Sequence, residues 1–202
     1  MAFDWLTGGS LPQFWKNYTA LFDREETREN KRRYIIFDMQ ASGLDWKDDV
    51  VLSIGAIGVI NNAIEVGDFF EVFIRQDKFS TQSVALNDVI KEDKHERVVE
   101  AEAMIQFLNF IKDATLVSHN VNLDIEMINQ ALKRLDLGRL KNPIMDTNAL
   151  YQRWKDLPDD TRISLDELCD ALKVRKSDRH TASGNAYITA IVFLKLKRKL
   201  GI

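Results

Sequence analysis

The stretch that decides the fold is Tyr34–Asp45, YIIFDMQASGLD, in which a run of large apolar residues leads into Asp38 and, two residues later, Gln40. The apolar run predicts a buried β-strand, and the small residues after it predict a turn. A carboxylate at the carboxyl end of a core strand is costly unless it binds a cation or accepts hydrogen bonds. Asp38 is therefore a candidate ligand, and the ASGL turn would let backbone approach a bound molecule closely.

The composition predicts one well-cored domain and excludes several kinds of protein. The chain has 202 residues, 45% hydrophobic and 29% charged, with a net charge of -3. Because it is not basic overall, any contact with nucleic acid has to come from a local patch. Cys169 lies at helical spacing among leucines, which predicts a buried apolar residue and no disulfide framework. There is no apolar run near the roughly 20 residues of a membrane span and no signal-peptide pattern, so we expect a cytoplasmic protein.

The order of elements predicts an α/β fold. Segments rich in Ile, Val and Phe predict three strands in an antiparallel meander, at Arg33–Met39, Val50–Ile60 and Ile64–Ile74. Helical and extended patterns then alternate. The predicted helices are Val98–Ile111, Asp124–Leu135 with a stop at Gly138, Thr147–Trp154, Ser164–Leu172 and Thr181–Lys199, and the further short strands are Thr115–His119 and Pro143–Asp146.

The first 30 residues predict a helical appendage that precedes a domain at residues 31–202. LPQFWKNYTALF, from Leu11 to Phe22, places apolar residues at the spacing of an amphipathic helix. Packing on its own domain is the favoured role, because the polar face carries little Lys or Arg for a membrane surface. We expect the domain to fold without these residues.

Two further segments carry candidate functional residues. In SHNVNLD, a strand runs into a loop and Asp124 opens a helix, where an acidic residue can also be only a cap or a favourable N-terminal charge. In DRHTASGNA, a basic loop delivers His180 to the start of a long helix, and Asn185 follows on roughly the same face. Asn185 and Gln40 also have a structural interpretation as hydrogen-bonding partners within the fold.

Together these segments resemble the DEDD-type 3′-to-5′ exonucleases, in the subgroup whose general base is a histidine, a family of proofreading and RNA-trimming nucleases. FDMQASGL resembles the first motif, an apolar strand ending Asp-x-Glu-Thr-Thr-Gly-Leu. HNVNLD resembles His-Asn-x-x-Phe-Asp, and HTASGNA resembles His-x-Ala-x-x-Asp-Ala. MDT and SLDEL match two weaker markers in the same order. The resemblance implies a ribonuclease H-like fold, with a mixed central sheet of an antiparallel meander plus parallel strands, flanked by helices.

The resemblance also implies roles for five side chains. Asp38 would bridge two Mg²⁺ or Mn²⁺ ions, Asp124 would support the second ion, and His180 would be the general base. Gln40 and Asn185 occupy the other two ligand positions, where the family has Glu and Asp. Since hard cations prefer charged oxygen, we expect metal occupancy and activity to be strongly reduced. The sequence leaves open whether these amides are natural or were introduced into an active enzyme.

By the same analogy, the substrate groove would be formed by Ala41, Ser42, Leu44, Asn120 and Arg179. The expected partners are the 3′ ends of single-stranded DNA or RNA, with a polymerase subunit and a second copy of the chain left open. Three function classes remain: a nuclease of residual activity, a catalytically silent nucleic-acid-binding or polymerase-associated scaffold, and a protein-interaction domain. No Gly-rich phosphate loop supports an NTPase or a nucleotide-dependent oxidoreductase.

Overall fold

A six-stranded mixed sheet organises the computed structural model, which describes residues 11–23, 33–76, 96–177 and 179–202. The strands are β1 Arg33–Ala41, β2 Val51–Ile60, β3 Ala63–Arg75, β4 Arg97–Val99, β5 Thr115–Ser118 and β6 Ile144–Asp146. The helices are α1 Gln13–Ala20, α2 Glu100–Ile111, α3 Val121–Arg134, α4 Thr147–Lys155, α5 Leu165–Leu172 and α6 Ala182–Leu200. Within these ranges, no helix is long and apolar enough to cross a membrane.

The sheet has the order β4-β3-β2-β1-β5-β6. Strands β1, β2 and β3 pair antiparallel, which confirms the predicted meander, and β5, β6 and β4 are added in parallel pairs. Strand β1 is therefore central, with β2 on one side and β5 on the other. The predicted mixed α/β fold is confirmed. The helix predicted from Val98 begins instead at Glu100, because Arg97–Val99 pairs with β3 as a short strand.

Strand β1 extends two residues past its predicted end at Met39 and finishes at Ala41. Its pairing with β2 continues to Ala41, after a register shift between Gln40 and Ala41. Asp38 consequently lies within the strand rather than at its end. Side chains alternate between the two faces of a strand, so Asp38 and Gln40 share one face while Met39 lies on the other.

A separate apolar core covers each face of the sheet. On one face, Ile35, Phe37 and Met39 of β1 pack with apolar residues of α1, α2 and α3. On the other face, Tyr34 and Ile36 pack with residues of α4, α5 and α6. Cys169 of α5 is fully buried in this second core and free, as predicted. Asp38 and Gln40 are two and four residues after Ile36 in β1, so their side chains lie on the same face as Ile36, which α6 covers.

Helix α1 packs on its own domain through two aromatic residues. Trp15 and Tyr18 are buried in the first core, 4% and 3% exposed, with their ring centroids 5.2 Å apart. The Tyr18 hydroxyl donates to Asn142 Oδ1 at 2.7 Å and accepts from the Lys141 N–H at 2.8 Å. Deleting residues 1–30 would remove these contacts, so we expect the truncated chain to lose stability. The boundary predicted after residue 30 falls outside the described residues.

Gly138 has a different role from the predicted helix stop. Helix α3 ends at Arg134, and the left-handed residue after it is Asp136, with φ 56°. A Cβ atom on Gly138 would lie 3.1 Å from the ring of Trp15. The glycine therefore leaves room for the aromatic residue of α1, a contact between segments more than a hundred residues apart that helix periodicity cannot reveal.

We predict that Tyr18→Phe lowers the free energy of unfolding by about 1–3 kcal/mol, because it leaves a buried amide oxygen and a backbone N–H without their partner. The ring and its packing are kept, so the loss measures the hydrogen bonds alone. Denaturant titration checks it, with Tyr187→Phe, at a 45% exposed site on α6, as a control that should change stability by less than about 0.5 kcal/mol. Equal stability of the two variants would contradict the prediction.

Candidate active site

Three of the predicted site residues meet on the α6 face of β1. One oxygen of Asp38 accepts hydrogen bonds from Gln40 Nε2 at 3.3 Å and from Asn185 Nδ2 at 3.1 Å. Asn185 is 147 positions away in the chain and is buried on the first turns of α6. Both amides therefore direct N–H groups towards the same carboxylate, which is compensated by protein donors.

Gly55 lets α6 come close enough to make this contact. It lies opposite Asp38 in the pairing of β1 with β2, on the same face of the sheet. A Cβ atom at Gly55 would collide with the backbone of Ala182 and Ser183, at the start of α6. The sequence patterns did not single out Gly55, although a glycine inside an apolar strand is a signal of close backbone approach.

His180 lies just outside α6. Thr181 is the N-cap, and its side-chain oxygen accepts the N–H of Gly184 at 3.0 Å. His180 is exposed and has a left-handed backbone, with φ 76°. The expectation that His180 and Asn185 share a helix face is therefore wrong, because only Asn185 belongs to the helix. Helical spacing does not apply across a residue with left-handed backbone, so the five-residue separation does not put the two side chains on one face.

Asp124 lies in the first turn of α3, where an acidic side chain is a favourable N-terminal charge, and it is not the N-cap. The helix begins at Val121, three residues earlier than predicted, so Asp124 does not cap it. One carboxylate oxygen accepts from Ser118 Oγ at 2.5 Å. Burial is the main cause that raises the pKa of Asp124 well above its usual value, and the nearby Asp38 carboxylate raises it further. The two acids predicted as ligands are thus close enough to repel each other.

The environment of Asp38 also opposes its ionisation. Burial raises the pKa of this carboxyl from 3.8 to about 7, against the lowering effects of the Asn185 hydrogen bond, the Arg179 charge and the Gln40 hydrogen bond. Removing a carboxylate from water disfavours the charged form, and the donors around it offset only part of that cost. Asp38 and Asp124 form a buried acidic pair.

Asp146 is a residue whose role the sequence analysis missed. Its carboxylate accepts the backbone N–H groups of Asn120 at 3.0 Å and Val121 at 3.2 Å, and it caps α4 by accepting the N–H of Asn148 at 2.8 Å. One side chain thereby joins the starts of α3 and α4 and places the helix that carries Asp124. The MDT sequence had marked this position only as a family signature.

His119 is part of the framework beside the acidic pair. Its ring nitrogens contact Thr147 Oγ1 at 2.9 Å and the Ile163 carbonyl at 2.8 Å. Burial lowers the pKa of its imidazole. Nε2 must donate to the carbonyl, which is only an acceptor, so a neutral ring accepts at Nδ1. The histidine connects the end of β5 with the segments before α5.

Arg179 is engaged within the protein. Its Nε and Nη2 each donate to Asp166 at 3.0 Å, and its Nη1 donates to Asn185 Oδ1 at 2.5 Å. The sequence predicts Arg179 in the substrate groove, and in the structure its guanidinium donates to these two partners. Asp166 lies at the start of α5, so the arginine links α5 to the N-terminal turn of α6.

The remaining predicted substrate residues lie around the rim of the site. Ala41 ends β1, and Ser42 Oγ donates to Asp49 Oδ1 at 2.6 Å and accepts the Val50 N–H at 3.1 Å, which closes the turn after β1. Leu44, at the tip of this turn, is 83% exposed. Asn120 is exposed and left-handed, with φ 60°, just before α3.

Ser53 is buried directly opposite Gln40 in the pairing of β1 with β2. Among the described residues, its hydroxyl is the one buried side-chain polar atom without a hydrogen-bond partner. Opposite residues of an antiparallel pair share a face, so this hydroxyl lies beside Gln40. It is a donor that an acceptor at position 40 could use.

The described ranges contain no group of three or more His, Cys, Asp or Glu residues arranged to hold a metal ion. The four positions predicted as ligands supply two carboxylates, from Asp38 and Asp124, and two amides. The site therefore has half of the negative charge that the family pattern would bring.

The sequence matches the family model described as "Exonuclease" over residues 35–193, a range that begins within β1 and ends within α6. The chain belongs to this exonuclease family. A DNA polymerase III of the PolC type from Caldanaerobacter subterraneus subsp. tengcongensis is 31% identical over 172 residues, covering 83% of the chain and 12% of the polymerase. The chain thus spans about an eighth of this relative.

Solved structures of exonucleases share the fold. The zinc-bound complex of E. coli exonuclease I with single-stranded DNA superposes with a TM-score of 0.71 at 15% identity, over 83% of this chain and 41% of that chain. Exonuclease X in complex with 5′-overhanging duplex DNA gives a TM-score of 0.62 at 17% identity, over 84% of this chain and 93% of that chain. The ribonuclease H-like exonuclease fold implied by the motifs is therefore confirmed.

We predict that Gly55→Ala destabilises the domain by about 1–3 kcal/mol, because the new methyl group displaces the backbone of α6 at Ala182 and Ser183. Thermal or denaturant unfolding measures the loss. Gly67→Ala is the matched control, since a Cβ atom there meets no atom within 4 Å, and it should be nearly neutral. A fully stable Gly55→Ala protein would show that α6 can shift freely relative to the sheet.

We predict that stability in chelator falls as the pH rises from about 4 to about 7, the interval over which Asp38 ionises in the unfolded and then in the folded chain. With raised pKa values the folded state binds more protons than the unfolded state, so the pair opposes folding increasingly as pH rises. Asp124→Asn should flatten this dependence and increase stability at pH 7 by about 1–3 kcal/mol.

Urea unfolding at a series of pH values tests this behaviour. The variant and the parent chain should converge near pH 4, where both carboxyls of the parent are protonated in the folded state. An Asp124→Asn protein that is less stable than the parent at pH 7 would mean that the buried pair is stabilised by donors that we have not identified.

Proposed function

We propose that this chain is a nucleic-acid-binding domain of the exonuclease family that holds 3′ ends and hydrolyses them very slowly or not at all. The observation that carries the proposal is the contact of two amide N–H groups, from Gln40 and Asn185, with Asp38. At the corresponding family positions, carboxylates would direct oxygen atoms towards a cation.

The residues present do not fit a pair of Mg²⁺ or Mn²⁺ ions. Two divalent ions bring four positive charges, and of the four predicted ligand positions only those of Asp38 and Asp124 carry a carboxylate. N–H groups do not coordinate cations, and Asn185 Oδ1, the one ligating atom of that amide, already accepts from Arg179. The arrangement compensates Asp38 internally instead. The bound metals that the family normally uses would have to displace these hydrogen bonds.

His180 is the candidate general base, but a general base alone gives modest catalysis. It is exposed beside the start of α6 and close in sequence to Asn185. Positioned general bases typically contribute about 10²- to 10⁴-fold, far below the acceleration that phosphodiester hydrolysis needs. A site that has this histidine but only two of the four carboxylates is therefore expected to bind nucleic acid and to hydrolyse it slowly.

Single-stranded nucleic acid is the substrate class that the relatives support. The structural neighbours include exonuclease I bound to single-stranded DNA. Leu44 is exposed at the tip of the turn after β1, where it can stack on a terminal base, and Asn120 is exposed at the start of α3. The PolC-type relative supports an association with a polymerase, and the relatives do not favour a domain that binds only protein.

We predict that the chain degrades a labelled single-stranded oligonucleotide from its 3′ end very slowly or not at all, and that Gln40→Glu with Asn185→Asp gives divalent-metal-dependent trimming. The two single variants should each recover much less, because both anionic groups act on the same centre and their effects are not additive. Gel assays with Mg²⁺, Mn²⁺ and chelator measure the rates.

Adding His180→Ala to the double variant provides the control, with an expected loss of about 10²- to 10⁴-fold if this residue is the general base. Oligonucleotides with 3′-hydroxyl and 3′-phosphate ends, compared in binding assays, test end recognition independently of cleavage. Brisk trimming by the unmodified chain would refute the weakened-site proposal. A folded double variant that binds 3′ ends but stays inactive would assign the chain a binding role alone.

A further inference from the structure

Arg179 determines which end of the Asn185 amide faces the acidic pair. An arginine side chain only donates hydrogen bonds, whereas an asparagine amide has one oxygen and one NH₂ group. With Nη1 2.5 Å from Oδ1, the amide oxygen is held at Arg179 and Nδ2 is left to donate to Asp38 at 3.1 Å. The reverse orientation would place two donor groups against each other.

Asp166 holds the guanidinium in this position. Its two carboxylate oxygens each accept one N–H of Arg179 at 3.0 Å, a bidentate geometry that fixes the plane of the guanidinium. The Arg179 side chain is 18% exposed, whereas Asp166 is 48% exposed at the start of α5. A hydrogen-bonded chain therefore runs from the surface carboxylate, through Arg179 and Asn185, to the buried carboxylate of Asp38.

We propose that Arg179 is a positioning residue that keeps Asn185 in its cation-excluding orientation, so that the site is compensated by the protein's own cation and works without a divalent metal. Its relevance to 3′-end binding rests on the proposed function, but the effect on metal binding does not. One positive charge is already fixed next to the acidic pair, and the Asn185 oxygen, which could ligate a second cation, is occupied by Arg179. Nucleic acid would then bind equally well with and without divalent ions.

A purely structural role for Arg179 makes a different prediction. If the arginine only fastened the turn before α6 to α5, its removal would change stability and leave metal affinity unaltered. A partly exposed pair with Asp166 contributes little to stability, roughly 0–1 kcal/mol, so variants at position 179 are expected to fold. Lys176 Nζ lies 3.9 Å from Asp166 Oδ1. It can compensate the charge of that carboxylate in variants that lack Arg179.

The first experiment measures Mn²⁺ binding by calorimetry to the full chain without nucleic acid. We expect Arg179→Met, which keeps the length of the side chain but removes its charge and donors, to bind Mn²⁺ at least tenfold more tightly than the parent. Arg179→Lys keeps the charge and one donor group and should remain within about threefold of the parent. Equal Mn²⁺ affinity in the parent and Arg179→Met would overturn the proposal.

A second comparison covers the case in which Arg179→Met does not fold. Asp166→Asn leaves the arginine in place but removes its charged anchor, and Mn²⁺ affinity should increase by about two- to fivefold. Glu167→Gln, at the neighbouring capping position of α5, is the matched control that removes a carboxylate without touching Arg179, and its Mn²⁺ affinity should equal that of the parent. Equal increases in both variants would indicate a general charge effect and contradict the proposal.

Oligonucleotide binding separates this proposal from the proposed function. The parent chain should bind a single-stranded 3′ end with the same affinity in chelator and in Mn²⁺, while Arg179→Met should bind at least threefold more tightly in Mn²⁺ than in chelator. Metal-dependent binding by the parent would overturn metal independence. If no variant binds an oligonucleotide, the proposed function fails, and the Mn²⁺ calorimetry still decides the role of Arg179.

Discussion

The buried carboxylate of Asp38 is the constraint on which the site depends. It lies inside the central strand of the sheet, on the face covered by α6, where water cannot solvate it fully. A charge in such a place needs either donors or a cation within a few ångströms. Gly55 admits the start of α6 against the sheet, and Asn185 then reaches Asp38. The same close packing of α6 on the sheet therefore sets the position of this helix and supplies a hydrogen-bond donor to Asp38.

Two different solutions to that problem are compatible with the same fold. Carboxylates at positions 40 and 185 would add negative charge around Asp38 and require cations to balance it. Amides of nearly the same shape add donors, and they balance it without any ion. Replacing one oxygen atom by an NH₂ group in each of the two side chains preserves volume and packing. It changes the preferred partner of these positions from a cation to a hydrogen-bond acceptor. This is why the chain retains the exonuclease fold while we propose that its chemistry is weakened.

The framework around the acidic pair is preserved independently of those amides. Asp146 collects backbone N–H groups from the starts of α3 and α4, and His119 bridges Thr147 and Ile163. Neither side chain needs a metal to satisfy its hydrogen bonds. Gln40 and Asn185 take no part in these hydrogen bonds. A change at positions 40 or 185 can alter the chemistry without loosening the elements that carry Asp38 and Asp124.

The sequence by itself determined the class of fold and the order of the elements, because strand and helix periodicity are local properties. The resemblance to the exonuclease motifs implied that Asp38, Gln40 and Asn185 belong to one site. The sequence did not indicate that α3 begins three residues before Asp124, that His180 has a left-handed backbone or that Arg179 is bound by Asp166. These depend on where helices begin and which side chains meet across the sheet. Only the tertiary structure decided the direction of each amide, since an N–H group turns towards whichever acceptor the packing places beside it.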